Sequence, residues 1–243
     1  MIPIHDDNPT QSRPVVTVAL IVVNAMVFLW EIGLPEPAQE RIFYGLGTIP
    51  AVLFGEKSLR PEIALVSPEL SILTSMFLHG GWMHLIGNML YLWIFGNNVE
   101  DAMGHLRFIL FYLLCGIAAA LSQAFQDPSS TVPMIGASGA IGGVLGAYLL
   151  LHPRANVLVL IPIFFFLHLT RIPAVVVLGF WFVLQFVQTA MTPPELGGGV
   201  AYWAHIGGFL TGMVLILVFR KPGVPLLDRG RTSRRPQPWG ARR

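Results

Sequence analysis

What most constrains this chain is a succession of apolar runs, each close to the length needed to cross a bilayer. A hydrocarbon core about 30 Å thick requires roughly 20 apolar residues per helix. Runs of this kind, punctuated by Pro, Gly and charged residues, lie at 15–34, 79–96, 106–126, 136–151, 172–190 and 200–219. Of the 243 residues, 54% are hydrophobic and only 12% are charged, a balance foreign to water-soluble domains. The sequence therefore predicts an all-α polytopic membrane protein with six transmembrane helices.

Charge sets the expected orientation. The net charge is +2, and arginines crowd the C-terminal segment 220–243. That segment reads as a basic, disordered cytoplasmic tail, drawn to anionic lipid. Six spans bring the N-terminus to the same side, so residues 1–14 are expected to be a cytoplasmic segment. Residues 15–67 then hold the first transmembrane helix and an extracellular connection, and 68–219 the core. The start "MIPIHDDNPTQSRP" lacks the basic character of a signal peptide, so the first apolar run reads as a retained span. The expected setting is a multi-pass protein of the plasma (inner) membrane. Residues 155–170 could reach only about 24 Å as a helix; Pro162 interrupts them and Arg154 and Arg171 bracket them, which reads as a re-entrant or interfacial segment. Cys115 has no partner for a disulfide and reads as a small buried hydrophobe.

Polar side chains inside a span are costly, and each needs a reason. In the predicted topology the second, fourth and sixth spans run in the same direction. His84 and Asn88, Ser138, and His205 then share one depth in the outer leaflet. Taken singly, each has a structural explanation: a small packing residue for Ser138, an interfacial ring for each histidine, an interhelical hydrogen bond for Asn88. Their neighbours favour chemistry. Gly139, Gly143 and Ala147 form a small-residue stripe on the fourth span, and Ala204, Gly208 and Gly212 form another on the sixth. Such stripes allow close helix approach. Ser138 and His205 each adjoin the outermost residue of a stripe, so docking the stripes brings a hydroxyl to an imidazole, as a base-activated nucleophile requires. His84 and Asn88, spaced i, i+4, project from one helical face. They can donate to a developing oxyanion, as can the free backbone N–H groups where a helix starts at Ser138.

The motifs "HGGWMHLIGN" (79–88), "GNNVEDAMG" (96–104), "GASG" (136–139) and "AHIGGFLTG" (204–212) carry a resemblance. Over roughly residues 68–219 the chain resembles the rhomboid intramembrane serine proteases. The resemblance implies a dyad of Ser138 as nucleophile and His205 as general base, with no acidic third member. It implies an oxyanion hole at His84, Asn88 and the Gly136–Ser138 backbone. It also gives structural roles to His79 and to Glu100, which ties down a loop, and packing roles to Gly139, Gly208 and Gly212. Two positions depart from the family pattern. An aromatic residue that flanks the catalytic histidine in well-studied members is Gly142 here, leaving Tyr148, Tyr202 or Trp203 as substitutes. A Trp-Arg motif of the first outer loop is also missing from 35–71.

The implied reaction is hydrolysis of peptide bonds in transmembrane substrates whose helices unwind near the outer surface. A non-catalytic, rhomboid-like binder of transmembrane helices is the alternative. A metal or transport function lacks support, since there is no His-Glu-x-x-His motif and charges are few. No cofactor, metal or nucleic-acid partner is expected beyond the lipid bilayer and the substrate, and no motif sets an oligomeric state.

Overall fold

The computed structural model describes residues 1–163, 165–191 and 201–228. It is mostly helical. The apolar runs become α1 (Val15–Ile32), α7 (His105–Gln126), α8 (Ser138–Leu151), α9 (Ala174–Met191) and α10 (Tyr202–Phe219). The second run becomes a helix without a break from Trp82 to Met103: α5 (Trp82–Tyr91), a π turn at Leu92–Gly96, and α6 (Asn97–Met103). It stops at Gly104, whose φ of 86° suits glycine. Between α1 and α5 lie three short helices, α2 (Glu36–Leu46), α3 (Pro50–Leu53) and α4 (Pro68–Thr74), each with Pro in its first turn.

Among the described residues, four helices, α1, α7, α9 and α10, are long and apolar enough to cross a membrane. Their outward faces expose side chains such as Val22, Met26, Leu110, Val183, Val214 and Val218. Exposed apolar surface of this extent belongs to an integral membrane protein. The α8 helix is different: it is apolar on every side and almost wholly buried, as expected for the central helix of a bundle. It packs most extensively against α10.

The fold is not entirely helical. Residues 155–170, expected to be re-entrant or interfacial, form most of a β-hairpin of β2 (Asn156–Ile163) and β3 (Phe166–Pro173). The N-terminal strand β1 (Ile2–Asp6) pairs antiparallel with β2, giving the order β1-β2-β3. Two physical features allow this. Val157 and Val159 alternate inward, fully buried, with the period of a strand. Pro162 pairs with Leu167 on β3, but β1 ends opposite Leu160, so no strand on the other side requires the missing N–H.

Buried carboxylates secure the sheet end of the bundle. Asp6 Oδ2 accepts from the Tyr148 hydroxyl at 2.6 Å and from Asn98 Nδ2 at 2.9 Å, joining β1 to α8 and α6. Burial pushes the Asp6 carboxyl up to about 6, although the Tyr148 hydrogen bond opposes this. Glu100 accepts from the backbone N–H groups of Val16 (2.9 Å) and Thr17 (2.8 Å) and from the Thr17 hydroxyl (2.6 Å). It thus caps α1 from another helix, placing negative charge at the N-terminal end of that helix's dipole. Past α10, Lys221 N–H donates to Ala102 O and Leu227 N–H to Leu150 O, so the first residues after the helix pack on α6 and α8. Residues 229–243 of the expected disordered tail lie outside the described residues.

Candidate active site

Two helix starts and one helix face converge at the opposite end of α8. Ser138 is the first residue of α8, and His205 lies in the first turn of α10. The Ser138 Oγ stands 2.8 Å from His205 Nε2. What brings them together is the absence of side chains between the helices. A Cβ on Gly208 would lie 1.9 Å from the Gly139 carbonyl oxygen, and one on Gly212 would lie 1.9 Å from that of Gly143. Gly139 itself faces Ala119 of α7, where a Cβ would come within 2.6 Å. The two small-residue stripes therefore meet backbone to backbone, as their spacing predicts.

The donors gather on the other side of Ser138. Gly80 N–H points at His84 Nδ1 across 3.4 Å, a polarity that leaves the proton on Nε2. His84 Nε2 would be 2.6 Å from a Cβ at Gly136, and Asn88 Nδ2 would be 3.8 Å from it. Asn88 is buried, and its Nδ2 has no acceptor among the described residues. Gly136 adopts φ 122°, which also favours glycine. Its own N–H is engaged by Ser75 O at 2.8 Å, so it offers space to an oxyanion rather than a hydrogen bond. The first backbone bond of α8 runs from Ile141 N to Ala137 O, leaving the Ser138 N–H without an intrahelical acceptor.

The surrounding residues hold this arrangement. His79 is buried, with Nδ1 3.3 Å from Phe77 O, its ring edge-on to His84 at 5.0 Å, and its backbone N–H donating to Glu31. Thr48 and Met134 exchange backbone hydrogen bonds, and Thr48 Oγ1 lies 3.0 Å from Ser75 Oγ. These contacts anchor the 35–71 connection to the loop preceding Ser138, without a Trp-Arg motif. Glu100, expected to tie down a loop, lies four helical turns beyond His84, and its carboxylate holds α1. A cavity of about 40 Å³ adjoins Ser138, lined by Met76, Gly116, Ala119, Ala120 and Ala204 among others. A larger one, about 160 Å³, lies in the 35–71 connection beside Tyr44 and Lys57, away from the Ser–His pair.

The departure at Gly142 resolves through a residue outside the expected substitutes. A Cβ on Gly142 would meet the His205 carbonyl oxygen at 2.9 Å, so this position has no room for an aromatic ring. The ring beside His205 is Trp181 of α9, centroid to centroid 5.7 Å and tilted by 34°. Tyr202 adds an edge contact at 6.4 Å. Trp203 packs on Phe186, and Tyr148 is committed to Asp6. Sequence reasoning also missed Gln185, whose Oε1 is 2.7 Å from His205 Nδ1. The signal was available: a glutamine inside an apolar span requires a partner. The acidic residue nearest His205 in the sequence, Glu195, lies outside the described residues.

An integral membrane protein with a half-buried serine against a buried histidine, beside donors that have no acceptor among the described residues, is the class these features define. The family profile described as "Rhomboid domain" matches residues 69–222, and the chain belongs to the rhomboid family. It is similar to Rhomboid protein 1, mitochondrial, of Saccharomyces cerevisiae: 30% identical over 178 residues, covering 70% of this chain and 48% of the yeast protein. It is 34% identical to RHOMBOID-like protein 6, mitochondrial, of Arabidopsis thaliana over 185 residues, covering 74% of this chain and 53% of the relative. Rhomboid protease GluP of Bacillus subtilis is 45% identical over 78 residues, covering 32% of this chain and 15% of that protein. The chain spans about half or less of the length of these relatives. Two of the three names specify mitochondria, so the comparisons lend no support to a plasma-membrane setting.

Proposed function

We propose that this chain is an intramembrane serine endopeptidase acting on transmembrane proteins through a Ser138–His205 dyad. The observation that carries the proposal is the 2.8 Å contact of Ser138 Oγ with His205 Nε2, beside a buried Asn88 Nδ2 that has no acceptor among the described residues. His205 Nε2 takes the Ser138 proton as Oγ attacks the scissile carbonyl carbon. The resulting oxyanion accepts from Asn88 Nδ2, His84 Nε2 and the Ser138 N–H. Collapse breaks the C–N bond, and the leaving amine takes the proton from His205. Water, deprotonated by His205, then releases the acyl group from Ser138.

In this reading α1, the 82–103 helix, α7, α8, α9 and α10 are six spans with both termini cytoplasmic. Ser138 then faces the outer leaflet. The 40 Å³ cavity with its Ala and Gly lining fits a small side chain at the cleavage point. Substrate helices weakened by Gly or Pro would expose their backbone most readily.

The test is a fluorophosphonate probe applied to protein reconstituted in lipid. Wild type should be labelled, and Ser138→Ala should not. Labelling of the Ala variant would overturn the proposal by placing the reactive nucleophile elsewhere, and no labelling of correctly folded wild type would overturn it in favour of a non-catalytic binder of helices.

A further inference from the structure

Resting on the reading of Ser138 and His205 as nucleophile and base, one requirement of the pair is still unmet. An imidazole can accept a hydroxyl proton at Nε2 only when its own proton sits on Nδ1. A histidine without a partner at Nδ1 divides itself between two tautomers and rotates about its side-chain bonds. In Ser-His-Asp hydrolases a carboxylate removes both freedoms. Here no carboxylate faces the ring among the described contacts, and the atom that does is an amide oxygen.

Gln185 projects from α9 with its Oε1 2.7 Å from His205 Nδ1. An amide could face the ring with either end, and only the oxygen would hold the productive tautomer. The other end of the side chain decides between them. Gln185 Nε2 lies 2.8 Å from the Trp181 carbonyl oxygen, one helical turn earlier. Reversing the amide would set two oxygens against each other there. The NH₂ group therefore donates to Trp181 O, Oε1 faces His205, and Nδ1–H is the donor between them. Gln185 and His205 are 4% and 8% exposed, so water cannot easily replace this acceptor. Trp181 contributes twice, its carbonyl orienting Gln185 and its indole flanking the imidazole.

We propose that Gln185 is a positioning residue that fixes His205 in the Nδ1–H tautomer and turns Nε2 toward Ser138. The amide supplies a dipole where other hydrolases supply a charge. When His205 takes the serine proton, its bond to Oε1 becomes charge-assisted and strengthens as the transition state is approached. The site is then a triad of function with a neutral third member, carried on a helix separate from those of the nucleophile and the base.

The experiment compares full-length wild type, Gln185→Leu and Gln185→Glu in lipid bilayers, using kcat and KM for a transmembrane substrate and ¹⁵N NMR of labelled histidines, with His205→Ala assigning the His205 signals. Wild type should show the His205 proton on Nδ1, a result that needs no variant and no activity. Gln185→Leu should lower kcat by on the order of 10²-fold with little change in KM, and should release the Nε2–H tautomer. Gln185→Glu, which keeps an acceptor, should stay within about tenfold of wild type. A wild-type proton on Nε2 overturns the proposal even if no variant folds. So does full activity of Gln185→Leu, or equal loss in the Leu and Glu variants without a tautomer change. Failure of the protease reading itself would appear elsewhere, as probe labelling that ignores Ser138.

Discussion

Ser138 Oγ and His205 Nε2 stand 2.8 Å apart although 67 residues separate them in the chain. A nucleophile and base in such contact act as one unit, so their losses should not add. Ser138→Ala, His205→Ala and the double variant should each lower kcat by roughly 10⁴-fold or more. Turnover of a reconstituted transmembrane substrate checks this, and a double variant far worse than either single one would mean that the two groups act independently.

The contact depends on helices that touch through their backbones. Gly208→Ala would drive a methyl group against the Gly139 carbonyl, 1.9 Å away, and should cost about 1–3 kcal/mol of stability as well as activity. Gly142→Phe should be worse, because its Cβ already meets His205 O at 2.9 Å. Gly179→Ala on α9 is the control, since nothing lies within 4 Å of its added methyl. Thermal unfolding in detergent should separate the first two from the third.

Loss of oxyanion donors should appear in kcat while the fold survives. Asn88→Ala removes the unpaired Nδ2 and should reduce kcat by roughly 10²–10³-fold with little change in KM. Gly136→Ala should act on the same step, since its methyl would stand 2.6 Å from His84 Nε2 at φ 122°. An Asn88→Ala enzyme with wild-type kcat would assign the oxyanion to other donors.

The Asp6 latch should respond to pH. Its carboxyl titrates near 6 in the folded chain against 3.8 for the unfolded value, because burial disfavours the charge. The folded state thus holds a proton that the unfolded state releases between these values. The stabilisation is full below pH 3.8 and is lost as pH rises through 6, by about 3 kcal/mol at most at 1.36 kcal/mol per unit. Unfolding midpoints of wild type and Asp6→Asn, compared from pH 4.5 to 8, measure it. The wild type should lose stability relative to the Asn variant as pH rises, and parallel curves would contradict the assignment.

The parts legible in the sequence were those with a local cause. Apolar length marked each long helix to within a few residues, except that the second run continues through a π turn to Met103. The small-residue stripes announced which helices would meet. The i, i+4 spacing of His84 and Asn88 put both nitrogens beside Gly136. The hairpin at 156–173 was missed because short apolar runs look alike as strand or membrane segment, and because its partner strand lies some 150 residues earlier.

By itself, then, the sequence determined that the chain spans a membrane, that α8 and α10 can approach closely, and that Ser138 and His205 sit at the starts of those helices. Hydropathy, helical period and side-chain size act over a few turns, and these are properties any stretch carries with it. Only the tertiary structure decided what surrounds the pair. It put Trp181 rather than a residue at 142 beside the imidazole, turned Gln185 toward Nδ1, and set Asp6 under Tyr148. Each of these contacts joins elements that carry no local mark of one another, and each follows from how the helices stack when most buried polar groups find a partner.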